Sequence, residues 1–209
     1  MRVRNRRLPI LLSIFLCIPL VSEPAQGQGS LATLSTSRRR FMHDPNVKEE
    51  YKKWLSQDVA WIITDEEMAD FVNLSRDQQR DEFVVAFWAR RNPNPGAPEN
   101  KFKEEHYRRL AYANTHFAAS VPGWKTDRGR IYIMYGPPDT VDRHYSAAGS
   151  EKASSIVGVV AIPYDWELWH YRFIEGIGKD VTFKFVDTCA CGEYQMPVEK
   201  DDLKKYAPK

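Results

Sequence analysis

The sequence predicts an α+β fold, with N-terminal helices packed on a C-terminal antiparallel sheet of about three to five strands. Three observations carry this. Apolar residues recur at helical spacing through the first half of the chain. The spacing changes to period 2 in the second half. Proline and glycine clusters at 93–98, 122–123 and 136–138 mark the joins. A chain of 209 residues suits one domain with appendages. With 43% hydrophobic and 28% charged residues, wholesale disorder, a collagen-like repeat and a polytopic membrane protein are excluded.

Taken in order, Leu8–Val21 is an apolar run behind Arg2, Arg4, Arg6 and Arg7, with small and polar residues after it. This is the charge order of a secretory leader, and the run is short for a bilayer span. Leu16 before Cys17 argues against lipidation. Residues 1–27 are thus expected to be a signal peptide, leaving no stable transmembrane span. They carry four Arg and one Glu, so the formal charge of +2 becomes −1 once they are removed. That balance gives no electrostatic reason to expect nucleic acid. Residues 28–44, rich in Ser and Thr and containing Arg38-Arg39-Arg40, are predicted to be a flexible linker, and 45–199 a single domain.

Within the domain, Asp44-Pro45 reads as a helix start, with Val47, Tyr51, Trp54 and Leu55 on one face. Val59–Ile63 is a connector or an edge strand. Thr64-x-x-Glu67 and Ser75-x-x-Gln78 read as capping boxes. They open helices that bury Met68, Phe71 and Val72, then Phe83, Val84, Phe87 and Trp88. A further helix is predicted from about Lys101 to Ala119. Arg130–Tyr135 alternates and reads as a strand, stopped by Gly136-Pro137-Pro138-Asp139. Residues 142–160 read as a loop. Trp166–Ile174, the run through Val181, Phe183 and Phe185, and Tyr194–Val198 read as strands, followed by a charged tail at 200–209.

Gly123-Trp124-Lys125-Thr126-Asp127, running on to Tyr135-Gly136-Pro137-Pro138-Asp139, is a distinctive string. It resembles the signature of the GWxTD domain family of exported bacterial proteins. Phe87-Trp88-Ala89-Arg90-Arg91-Asn92-Pro93, Glu104–Arg109 and Ala113-Asn114 resemble the same family. The resemblance covers roughly residues 45–195. It departs from the family pattern at Asn92 and at Cys189-Ala190-Cys191. It implies an exported domain and names no reaction.

Physically, Gly123 after Pro122 permits a sharp helix exit, and Trp124 can plug a gap between helix and sheet. Thr126 and Asp127 can accept backbone N–H bonds, and Gly129 suits a bulged hairpin entry. Asp127 with His106, Arg91 and Arg109 can form a charged site that binds an anion or shares acid–base work. The same residues can equally form ion pairs that join helices to sheet. Glu104–Arg108 and Glu105–Arg109 have the helix-stabilising i, i+4 spacing.

No nucleophile elbow, zinc-protease motif, phosphate loop or calcium loop occurs, and the five His are scattered. No metal or cofactor is therefore expected. Cys189 and Cys191 can form a local disulfide or an intermolecular bridge in an oxidising compartment. Trp169 and Tyr171, on a strand apolar on both faces, offer either a binding platform or core packing. The expectation is an exported, periplasmic or extracellular, non-enzymatic module that binds a cell-envelope component. The alternative is an enzyme using Asp127, His106 and Arg91.

Overall fold

The computed structural model describes residues 27–145 and 164–197. Residues 1–26 of the predicted leader, the tail at 200–209 and most of the predicted 142–160 loop lie outside the described residues. Six helices precede a three-stranded sheet: α1 Gly27–His43, α2 Glu49–Lys53, α3 Asp65–Asn73, α4 Asp77–Arg90, α5 Lys101–His116, α6 Asp127–Tyr135, β1 Thr140–His144, β2 Asp165–Ile174 and β3 Gly178–Asp187. The α+β class and the antiparallel sheet are as the sequence predicts. No helix among the described residues is long and apolar enough to cross a membrane.

Two helices stand where the sequence suggested otherwise. The expected linker is α1, and its Phe41 is buried among Val47, Tyr51, Trp54 and Phe71. Its Ser and Thr content misled because Ser35 and Thr36 hydroxyls both donate to the Ala32 carbonyl at 2.9 Å, satisfying themselves within the helix. The expected strand at 130–135 is α6. Ile131, Tyr132 and Ile133 are all buried, because this helix is covered on several sides, so its apolar residues carry no helical stripe. The start signal decides: the Thr126 hydroxyl accepts from Gly129 N at 3.0 Å, and Gly136 ends the helix at φ +83°.

The first helix of the expected domain begins later than Asp44-Pro45. Asp44 caps a turn instead, accepting from Asn46 N at 2.8 Å, and α2 runs into a π-helical turn over Trp54–Asp58. The Thr64–Glu67 capping box forms with both bonds at 3.2 Å. The second box shifts by one residue, with Arg76 N donating to Gln79 Oε1. Val59–Ile63 is a connector without a strand; of the expected strand Tyr194–Val198, Gln195 forms a bridge with Val186, and Val198 lies outside the described residues.

The helices build two cores. One gathers α1 to α4 around Phe71 and Phe87. The other packs α5 and α6 on the sheet through Leu110, Ala113, Ile131 and Ile133 against Trp169, Phe183 and Phe185. Tyr107 on α5 touches both. The sheet order is β1-β2-β3, with Val141, Trp169 and Phe183 in one inward row and Arg143, Glu167 and Phe185 in the next.

Candidate functional site

The string 123–127 forms the join between α5 and α6. Gly123 lies so close to α5 that a Cβ there would sit 1.9 Å from the Ala113 carbonyl oxygen. A Cβ on Gly129 would sit 1.8 Å from the Gly123 carbonyl oxygen. Both positions therefore demand glycine for close approach of backbone to backbone. Trp124 N donates to Asn114 Oδ1 at 3.0 Å, and its carbonyl accepts from the Trp61 indole at 2.8 Å. The half-buried Trp124 ring packs beside the sheet core, close to the expected role of a plug. Thr126, buried, also donates its hydroxyl to Gly123 O at 2.8 Å. Asp127 Oδ2 accepts from Met196 N at 2.8 Å, and Oδ1 lies 3.6 Å from Arg130. Its charge at the first turn of α6 also suits the helix dipole.

The other candidates hold different partners. Arg91 donates to both oxygens of Glu67 at 2.8 and 2.6 Å, and to Ile62 O at 3.0 Å, with its guanidinium 3.6 Å from the Phe87 ring centre. Burial alone would push the Glu67 carboxyl up. Hydrogen bonds from Arg91, Arg90 and the Thr64 backbone override it and hold it at about 2. His106 is 3% exposed, and its Nε2 lies 2.6 Å from Asp58 O. A carbonyl only accepts, so Nε2 carries the proton. Burial, helped by the nearby Arg109 and Arg91 charges, keeps this imidazole below its ordinary value despite the opposing bond to Asp58. Arg109 donates to Glu105 at 2.7 Å and lies flush against Gly136, where a Cβ would come within 2.9 Å of Nη2.

Among the described residues, Asp127 thus engages Met196 and Arg130, whereas His106 engages Asp58 and Arg91 engages Glu67, so the expected charged site is divided among separate partners. A cavity of about 50 Å³ does exist between Ile62, Phe102, Glu105, His106, Arg109 and Ile133. It has room for a water or two and not for an organic substrate, which needs some hundreds of Å³. A larger groove, about 650 Å³, runs beside α1 with Arg40, Arg76 and Asp77 on its walls, and includes none of the expected site residues.

Trp169 and Tyr171 are 3% and 4% exposed, so of the two roles open to them, platform or core packing, the fold gives them core packing. The Tyr171 hydroxyl donates to Gly136 O at 2.9 Å. The outward row of β2 is Trp166, Leu168, His170 and Arg172, flanked by Thr140, Asp142 and His144 on β1 and Thr182, Lys184 and Val186 on β3. His144 stacks on Trp166 at 5.3 Å, and His170 bridges Asp142 at 3.0 Å and Thr182 at 3.1 Å. Among the described residues, no strand pairs with the outer edge of β1.

One charged cluster escaped the sequence analysis. Glu167, 6% exposed, accepts from the Trp169 indole at 2.9 Å and from Arg143 at 3.2 Å, with Arg128 at 3.5 Å. Arg128 lies over the Tyr194 ring at 4.0 Å. The signal was available: alternation that turns Trp169 and Tyr171 inward must turn Glu167 inward too. Cys189 and Cys191 are joined as a disulfide, with Cα atoms 5.2 Å apart.

The model of the GWxTD domain family matches residues 28–149. No curated protein and no solved structure matches the chain.

Proposed function

Because the chain belongs to the GWxTD domain family, we propose that it is an exported, non-enzymatic module that binds a protein of the cell envelope. The observation that carries this reading is the commitment of every candidate catalytic side chain to a structural partner. Asp127 holds Met196 N and Arg130, Arg91 holds Glu67, and His106 holds Asp58 O. A general acid or base needs a reachable substrate beside it, and the cavity next to His106 is about 50 Å³. The leader-like first residues support export.

The partner is received on the outward face of the sheet and along the edge of β1. Trp166 and Leu168 are half-buried there, Tyr145 is 65% exposed, and Tyr164 stands at the start of β2. An extended segment added to β1 would gain backbone hydrogen bonds, while Trp166 and Leu168 would supply apolar contact.

Capture from envelope extract compares the protein with Leu168→Arg and Asp127→Asn. The reading expects the Leu168 variant to lose about tenfold in captured partner at unchanged melting temperature, since each 1.4 kcal/mol is a factor of ten. Asp127→Asn should capture as the parent does. Loss of capture in the Asp127 variant alone would reverse the assignment.

A further inference from the structure

We propose that Cys189–Cys191 is a thiol–disulfide exchange site that accepts two electrons from a peptide or protein dithiol. This inference stands apart from the binding face. The pair is separated by a single residue, in the loop that leaves β3. Closing so short a loop removes little chain entropy, so the bond is a poor staple. The loop is also held without it. The buried Asp187 carboxylate accepts from Cys191 N at 3.2 Å and Gly192 N at 2.7 Å. Arg128 donates to Gly192 O at 3.3 Å, and Val186 and Gln195 exchange both backbone bonds just beyond.

Three features suit the pair to exchange instead. Both cysteines are exposed, so an incoming thiolate can reach a sulfur. Ala190 between them has φ +51°, a left-handed backbone that a residue with a Cβ adopts reluctantly, and opening the ring frees it to leave. Finally, Asp187 Oδ1 lies 3.2 Å from Cys189 Sγ. In disulfide exchange, negative charge builds on the attacking and leaving sulfurs more than on the central one. A carboxylate beside Cys189 therefore favours Cys189 as the central sulfur and Cys191 as the leaving thiolate.

The chemistry balances in two steps. One substrate thiolate attacks Cys189 Sγ, forming a substrate–Cys189 disulfide and releasing Cys191 as thiolate, which takes a proton. The second substrate thiol, deprotonated, attacks the substrate-side sulfur of that mixed disulfide, and Cys189 leaves as thiolate and takes a proton. The substrate leaves as a disulfide, oxidised by two electrons, and Cys189 and Cys191 are both reduced.

The test mixes oxidised protein with a synthetic peptide carrying two neighbouring thiols, quenches with acid and maps the products by mass spectrometry. The proposal expects one peptide disulfide per protein, formed about tenfold faster than by oxidised glutathione, with the mixed disulfide on Cys189. Asp187→Asn should spread that intermediate over both cysteines. The double variant Cys189→Ser, Cys191→Ser should oxidise no peptide and melt within about 2 °C of the parent. Three results would overturn the proposal: a peptide that stays reduced, a double variant that loses the fold, or a protein isolated with two free thiols holding a metal ion.

Discussion

The two cores bury charges of opposite sign. In the helical core the enclosed ions are cationic: Arg80 is 5% exposed and Lys52 8%. Arg80 is flanked by the rings of Phe41 and Tyr51 at 5.6 Å and answered by Asp77 at 2.8 Å. In the sheet core the enclosed ions are anionic, Glu167 and Asp187, answered by Arg143, Arg128 and backbone N–H groups. Ring faces hold a guanidinium in both cores, Arg80 between Phe41 and Tyr51 in one and Arg128 over Phe117 at 5.1 Å and Tyr194 at 4.0 Å in the other. What sets the sheet core apart is its buried carboxylates, Glu167 taking the Trp169 indole N–H and Asp187 the backbone N–H groups of the loop after β3.

The largest expected effects come from the cores themselves. Phe71→Ala and Phe183→Ala each remove a fully buried ring and should cost about 3–5 kcal/mol, lowering the melting temperature by roughly 10 °C. Tyr107 bridges the cores, so calorimetry should show one transition in both variants. Two separated transitions would break the comparison into independent units. Gly129→Ala comes next, at about 3 kcal/mol, because its Cβ would collide with the Gly123 carbonyl.

Smaller effects sharpen the contrast of charge. Glu67→Gln should cost about 2 kcal/mol by leaving the half-buried Arg91 without its carboxylate. Glu67 is held at about 2 against an ordinary 4.5. Its contribution is therefore full above about pH 4.5 and is lost as pH falls toward 2. Melting temperature against pH should fall through that window in the parent and fall less steeply in Glu67→Gln, where Glu105, also held at about 2 by Arg108 and Arg109, still contributes. An unchanged slope would remove Glu67 from the account.

Local patterns made much of this fold legible. A long apolar run located β2, period 2 located β3, and Thr64-x-x-Glu67 located the start of α3. The same Glu67 receives Arg91 from a helix 24 residues away, and no local spacing announces a pairing between elements. α6 hid because burial on several sides erases periodicity, and α1 because its hydroxyls bond within the helix. The expected site named residues that are indeed engaged, but with different neighbours. Sequence order brought Asp127 and His106 together on paper, and the fold gives each its own partner.

Asp127→Asn tests the central claim, that the motif residues join α5 to α6 and that Asp127 serves this join. Asn keeps an oxygen for Met196 N but loses the charge that faces Arg130 and the helix start. The melting temperature should fall by about 2–4 °C, near 1 kcal/mol, with partner capture unchanged. An unchanged melting temperature with lost capture or a lost activity would contradict it.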